Sequence, residues 1–374
     1  MIRTHFFTFL ILLFLLPCLI SSRGCGDNDE NKTELKQEIR QVVKQRFENA
    51  KNHGLKATGA VVGVWDYKRE FNVQYAIGKA DRSTEEALTK KHSFKIASVT
   101  KSMVTTLICQ LIDEGKLSYN TPLSKFFPDL PKAEKVTIRM LGDMTSGYFD
   151  YLSDEEFLYE FDNTPHFTAT PQELIQVGMS HVMQYEPGTD INYSNTNTVI
   201  LGLIIEKITG RPLEKALQNS LFDPLDLQKT GAPPKGSYLP EPAAHSYHPD
   251  IGEDWTYKMD YSPEYACGNA YSILEEVKTL IEAISKGNLI KSDTHQKRFS
   301  KGKLLPDAPE DLTYHFGLIK YKSFLGHSGN TDYYLSEAYY SPEKETTIVV
   351  LSNSSAQGLT WYLFKDVLNV LFKE

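Results

Sequence analysis

Two hydrophobic periods alternate along this chain, and the places where the period changes divide it. Residues 57–65 and 71–77 read as strands joined by the polar turn 66–70, a hairpin. Ahead of them, residues 34–51 read as an amphipathic helix. A short apolar lead-in from Phe94 runs into a second helical pattern, with Val104, Leu107, Ile108, Leu111 and Ile112 on one face and Gly115 as its stop. Residues 136–227 are mostly short helices and loops, apart from one clear helix over 196–209 that ends at Gly210. The proline- and tyrosine-rich stretch 233–263 has no period. A helix over 274–285 follows, then strand-like runs at 314–321, 332–340 and 346–352, and a closing amphipathic helix over 359–372. Strands at both ends with helices between predict an α/β (α+β) domain, one sheet built from both termini with a mostly helical insertion at about 117–262.

The N-terminus is read separately. Residues 1–24 have the form of a signal peptide: Arg3 is basic, and 6–20 are apolar but too short for a comfortable membrane span. Small residues before Cys25 and the acidic run 26–31 after it resemble a bacterial lipoprotein cleavage and lipidation site, although Arg23 departs from that pattern. Plain secretion with an incidental Cys25 is the alternative. Either way the expectation is an exported protein in the periplasm or cell envelope, anchored at Cys25 in the first case. Residues 25–50 then form a polar tether and N-terminal helix, and 51–374 the main domain.

Composition adds bounds. The 374 residues suffice for one large domain, and a net charge of -8 without a basic cluster argues against nucleic acid as a partner. Cys109 and Cys267 remain in the mature chain without metal-ligand spacing; they read as buried thiols, with a disulfide left open.

The chemistry gathers at three places. Ser98 and Lys101 lie one turn apart at the start of the second helix, where a desolvated lysine can take the serine proton. The helix N-terminus adds free backbone N–H groups. Tyr193 and Asn195 sit on a turn before the 196–209 helix; a phenol beside a lysine can shuttle protons, and an asparagine there can bond both lysine and substrate. His327, Ser328, Gly329 and Asn330 fall at a strand edge, able to pair with an extended substrate. The N–H groups of Ser98 and Asn330 form a candidate oxyanion hole. Lys320 and Lys322 are near this strand and are candidates to meet a substrate carboxylate, or simply solvated charges.

These motifs in this order resemble the serine β-lactamase-related family, which includes class C β-lactamases, D-alanyl-D-alanine carboxypeptidases, D-aminopeptidases and related esterases. The three elements are Ser98-Val99-Thr100-Lys101, Tyr193-Ser194-Asn195 and His327-Ser328-Gly329, supported by Thr145-Ser146-Gly147 and Pro187-Gly188-Thr189. The resemblance runs from about Ala57 to the C-terminus. It implies a β-lactamase/transpeptidase-like fold, an antiparallel sheet flanked by helices. It further implies a serine hydrolase that forms an acyl-enzyme on Ser98, with Lys101 and Tyr193 sharing the proton and Asn195, His327, Ser328, Gly329 and Asn330 binding substrate or oxyanion. No metal or organic cofactor is needed.

His327 stands where class C β-lactamases carry lysine, which favours a carboxypeptidase-like enzyme or D-amino-acid peptidase. If it acts as a cation, binding of an anionic substrate weakens above its pKa. An esterase, a weak β-lactamase and a non-hydrolytic envelope binding lipoprotein are the alternatives. The expected partners are small acyl substrates (D-amino-acid peptides, β-lactams or esters), with membrane contact only through an N-terminal lipid.

Overall fold

The computed structural model describes residues 26–52, 56–306, 308, 312–331, 333–354 and 356–373. The signal-peptide reading of 1–24 and the lipidation reading of Cys25 lie outside the described residues.

The first described element is α1 (Gly26–Asn52), followed by the hairpin β1 (Gly59–Asp66) and β2 (Phe71–Asp81) and the short β3 (Glu86–Ala87). Next come β4 (Ser93–Lys95) and α2 (Val99–Asp113). The insertion carries α3 (Ile138–Gly142), α4 (Glu155–Asn163), α5 (Pro171–Ser180), α6 (Asn195–Thr209), α7 (Leu213–Leu217) and α8 (Tyr265–Gly268). It returns through β5 (Tyr271–Ile273), which pairs antiparallel with β4. The chain then runs through α9 (Leu274–Lys286), α10 (Ser292–Arg298), β6 (Lys303–Leu304), β7 (Thr313–His315) and β8 (Leu318–Tyr321). It finishes with β9 (Phe324–Asn330), β10 (Leu335–Ser341), β11 (Thr346–Ser352) and α11 (Leu359–Phe372). No helix among the described residues is long and apolar enough to cross a membrane.

Among the described residues nine strands form one antiparallel sheet in the order β3-β2-β1-β11-β10-β9-β8-β7-β6, so the first and last strands meet as the β1–β11 pair. Alternation sends Val62, Val64, Ile348 and Val350 to one face, under α1 and α11, where Val43, Phe47, Leu363 and Val367 cover them. Val61, Val349 and Leu351 face the other way, onto α2, α9 and the insertion. Both faces are covered, which is why β1 and β11 are buried throughout, with runs of consecutive apolar residues at their centres rather than strict alternation.

Three sequence expectations change. The acidic run 26–31, expected as a tether, forms the first turns of α1. The run 314–321 is two strands, β7 and β8, reversed at Phe316 (φ 28°) and Gly317 (φ 78°). The contacts that hold this reversal are remote in sequence: Asp143 Oδ1 accepts from the Phe316 N–H (2.8 Å) and the Gly142 carbonyl from the Gly317 N–H (3.0 Å). Strand β10 also starts later than expected, at Leu335, because Thr331 closes the preceding turn, its Oγ1 accepting from the N–H groups of Tyr333 and Tyr334.

Candidate active site

Ser98 is placed by strain and by a helix start. Ala97 sits in the left-handed region (φ 47°), a conformation costing a non-glycine residue about 1–2 kcal/mol, and this turns the chain from β4 into α2. Ser98 is the residue immediately before α2 and is half-buried. Among the described residues no acceptor takes its backbone N–H. Lys101, one turn on, is fully buried, and its Nζ donates to Ser98 Oγ (2.7 Å) and to the Cys267 carbonyl (2.9 Å).

The Tyr193 ring lies 4.9 Å from Lys101 Nζ, and its hydroxyl is close enough to Ser98 for that side chain to lower its pKa against the burial that raises it. Its turn is held by the loop after α3. The Met144 carbonyl accepts from the Asn192 N–H (3.1 Å), and Asp150 takes both the Asn195 N–H (3.0 Å) and its side-chain Nδ2 (3.0 Å). Asn195 therefore turns its amide toward Asp150. The lysine's two hydrogen bonds go elsewhere, contrary to the expected Asn195–Lys101 bond.

Strand β9 brings in the third element. β8 pairs only with Phe324 to Gly326, so the outer side of β9 is an open edge from His327 onward, as expected. The Thr331 N–H bonds the Tyr334 carbonyl, and by the ladder's alternation the Asn330 N–H points away from β10, toward that edge. Ser328 Oγ bonds the Tyr339 hydroxyl (2.9 Å), and Asn330 Nδ2 donates to Gln357 (3.0 Å). Gly329 is the contact point with the nucleophile turn: a Cβ there would collide with the Ile96 carbonyl and Ser336 Oγ.

Ser98, Tyr193, Asn195, His327, Ser328 and Asn330 line one cleft of about 270 Å³, with Leu152, Glu264, Cys267, Gly268 and Ile319 completing it. Lys320 and Lys322 lie in a separate surface depression with Phe299 and Glu343, so neither reaches the cleft.

Burial sets the protonation states. It lowers the Lys101 pKa, favouring the neutral amine. It raises the Tyr193 phenol well above its ordinary value. It pushes the Cys267 thiol up to about 12, and both Cys109 and Cys267 are free and buried. His327 is 1 % exposed, and burial, with a further push from Lys101 whenever that amine is protonated, lowers it to about 3. Its Nδ1 lies 2.5 Å from the Ser328 carbonyl and so carries the proton, leaving Nε2 to face the Tyr314 hydroxyl at 3.5 Å. Of the two states open to His327, burial favours the neutral imidazole, set between the rings of Tyr193 and Tyr314, over the cation.

A beta-lactamase family profile matches residues 39–359. The chain belongs to the beta-lactamase family. Among curated relatives it is 24% identical over 286 residues to PbpX of Bacillus subtilis (strain 168), provisionally named a penicillin-binding protein, covering 76% of this chain and 68% of that one. It is 27% identical over 203 residues to Protein flp of Staphylococcus aureus (strain N315), which is 53% of this chain but only 39% of that protein's length. Among solved structures, a D-stereospecific amidohydrolase from Streptomyces sp. superposes with a TM-score of 0.75 at 25% identity, covering 89% of this chain and 98% of that one. The D-amino acid amidase from Ochrobactrum anthropi SV3, solved with D-phenylalanine, gives 0.77 at 23% identity, covering 91% and 99%. The fold is the β-lactamase/transpeptidase fold implied by the motifs.

Three participants escaped the sequence reading. Asp150 has a local trace, an N-cap position before 151–153, but nothing in the sequence ties it to Asn195. The Cys267 carbonyl acts through the backbone and has no side-chain signature. Glu264 reaches the cleft wall because Gly268 leaves room for it; a Cβ there would collide with Glu264 Oε2. Away from the cleft, Asp81, His245 and Asp254 bring ligand-type atoms within 4.8 Å of one another. Ser83, Thr84 and Tyr247 already donate to the Asp81 oxygens, which makes that cluster a hydrogen-bonded turn anchor.

Proposed function

We propose that this chain is an exported serine hydrolase that cleaves D-amino-acid amides or peptides through an acyl-enzyme on Ser98. One observation carries the reading: Lys101 Nζ bonds Ser98 Oγ at the head of α2, with the Tyr193 ring 4.9 Å from that amine, in a cleft open to substrate. The structural likeness to a D-stereospecific amidohydrolase and to a D-amino acid amidase supports the substrate class.

The protonation states divide the work. Burial favours a neutral Lys101 and opposes a Tyr193 phenolate, so Lys101 accepts the Ser98 proton as Oγ attacks the carbonyl carbon. The Ser98 and Asn330 N–H groups hold the oxyanion, donors whose loss typically costs about 3–4 kcal/mol. Tyr193 hands a proton to the leaving amine and is refilled from Lys101. Water then attacks the ester carbonyl, and Ser98 leaves with a proton returned through the same pair. Asn195 and Gly329 shape the site and Ser328 borders the scissile bond. Residues 1–24 as signal and Cys25 as lipid anchor belong to the same proposal.

Hydrolysis of a D-amino-acid p-nitroanilide tests it, beside Ser98→Ala and Lys101→Ala. The expected result is turnover that vanishes in Ser98→Ala and falls about 10²- to 10⁴-fold in Lys101→Ala. Ser98-dependent turnover confined to a chromogenic ester would move the substrate class to esters. A persistent penicillin adduct without amide turnover would favour the penicillin-binding reading.

A further inference from the structure

The charges around the cleft are lopsided. Of its lining residues only Glu264 carries a charged side chain, and none is lysine or arginine. Lys101 is fully buried behind Ser98, and His327 is neutral. Lys95 is buried outside the lining, with its Nζ over the Tyr261 ring at 4.1 Å, and Asn269 O is 3.5 Å from it. Nothing in the wall therefore offers a counter-charge to a substrate carboxylate, and Glu264 opposes one.

Glu264 is also close to the chemistry. It is 6 % exposed, its carboxylate fills the space left by Gly268, and the buried Lys95, Lys101 and Tyr193 all lie within its electrostatic reach. The α-nitrogen of an amino-acid amide is separated from the reacting carbonyl carbon by a single carbon. An ammonium at that place would form a charge-assisted bond in a desolvated wall, where such bonds are strongest.

We infer that Glu264 binds the free α-ammonium group of the substrate, so that the chain takes amides and peptides with an unblocked N-terminus rather than substrates recognised by a carboxylate. This rests on the Ser98 hydrolase reading and narrows it. The likeness to the D-stereospecific amidohydrolase and the D-amino acid amidase is a likeness of fold; the ammonium preference is drawn from this chain's own wall.

The test pairs D-phenylalanine amide with N-acetyl-D-phenylalanine amide, using p-nitrophenyl acetate to report Ser98 acylation. The wild type is expected to favour the free amine by about 10- to 100-fold in kcat/KM, mainly through KM. Glu264→Gln is expected to reduce that ratio toward one, while Glu264→Asp keeps part of it. Equal or reversed preference in the wild type, which needs no variant to fold, overturns the inference. So does a ratio that Glu264→Gln leaves unchanged. Ester turnover that depends on Ser98, with neither amide cleaved, overturns the Glu264 assignment and leaves the Ser98 chemistry standing. The absence of Ser98-dependent turnover on every substrate overturns both.

Discussion

Gly329 runs against the Ile96 carbonyl so closely that the two segments meet only because Gly329 has no side chain. Ser336, opposite it on β10, seals the same contact by donating from Oγ to that carbonyl at 2.9 Å. This is how β9 is held against the turn that carries Ser98. In Gly329→Ala the strand is expected to back away, lowering kcat about 10²-fold or more if it displaces one oxyanion donor, with a stability cost of about 1–3 kcal/mol. Steady-state kinetics and urea denaturation check the pair of effects; unchanged kcat would sink the proposed geometry.

Asp150 holds Asn195 at two points, and Asn195 begins α6 directly after the Tyr193 turn. Asp150→Ala leaves a buried N–H and a side-chain amide without their acceptor, a cost of about 1–3 kcal/mol for each buried group left unsatisfied. We expect kcat to fall with little change in KM, because the loosened part is Tyr193 rather than the wall of the cleft. A variant that loses stability but keeps kcat would make Asp150 purely a fold residue.

His327 links the site to acid stability. Its folded-state pKa is lowered from 6.5 to about 3, so between those values the unfolded chain binds more protons than the folded one. Stability is therefore present above pH 6.5 and is lost as pH falls toward 3, at up to about 1.4 kcal/mol per pH unit. His327→Gln should lose less stability than the wild type between pH 6.5 and 4.5. Urea midpoints at the two pH values read this directly, and equal losses would show that His327 is charged or exposed. The same neutrality predicts that KM for an anionic acyl substrate shows no titration at the ordinary histidine pKa.

Glu337 gives the opposite sign. It lies buried directly across from Ser328, accepts from Thr360 Oγ1 at 3.2 Å, and burial raises its pKa from 4.5 to about 8. The folded chain binds the extra proton, so this contribution is full below pH 4.5 and disappears as pH rises through 8. Glu337→Gln should flatten the decline in urea midpoint between pH 5 and 8.5 compared with the wild type. A parallel decline in both proteins would refute a protonated carboxyl behind Ser328.

The parts of this molecule that declare themselves locally were legible. Strand β11 and helix α11 end where their patterns end, because β-branched runs and one-sided apolar spacing need no partner to be recognised. The Ser98–Lys101 pair is likewise local, two side chains one helical turn apart. The 314–321 run misled because its reversal at Phe316 and Gly317 uses apolar and small residues. It is fixed by Asp143 and Gly142, some 170 positions earlier, which accept its N–H groups. Asp150 was invisible for the same reason: its function is a contact across the insertion.

The sequence by itself determined the main helices and strands, the Ser98–Lys101 pair one helical turn apart, and the three motifs that line one cleft. Only the tertiary structure decided what those groups are electrically. A histidine or lysine has a fixed ordinary pKa in the chain, and burial among remote neighbours moves it. That burial made His327 neutral and Lys101 a candidate base, and the gap at Gly268 put a carboxylate in the cleft wall.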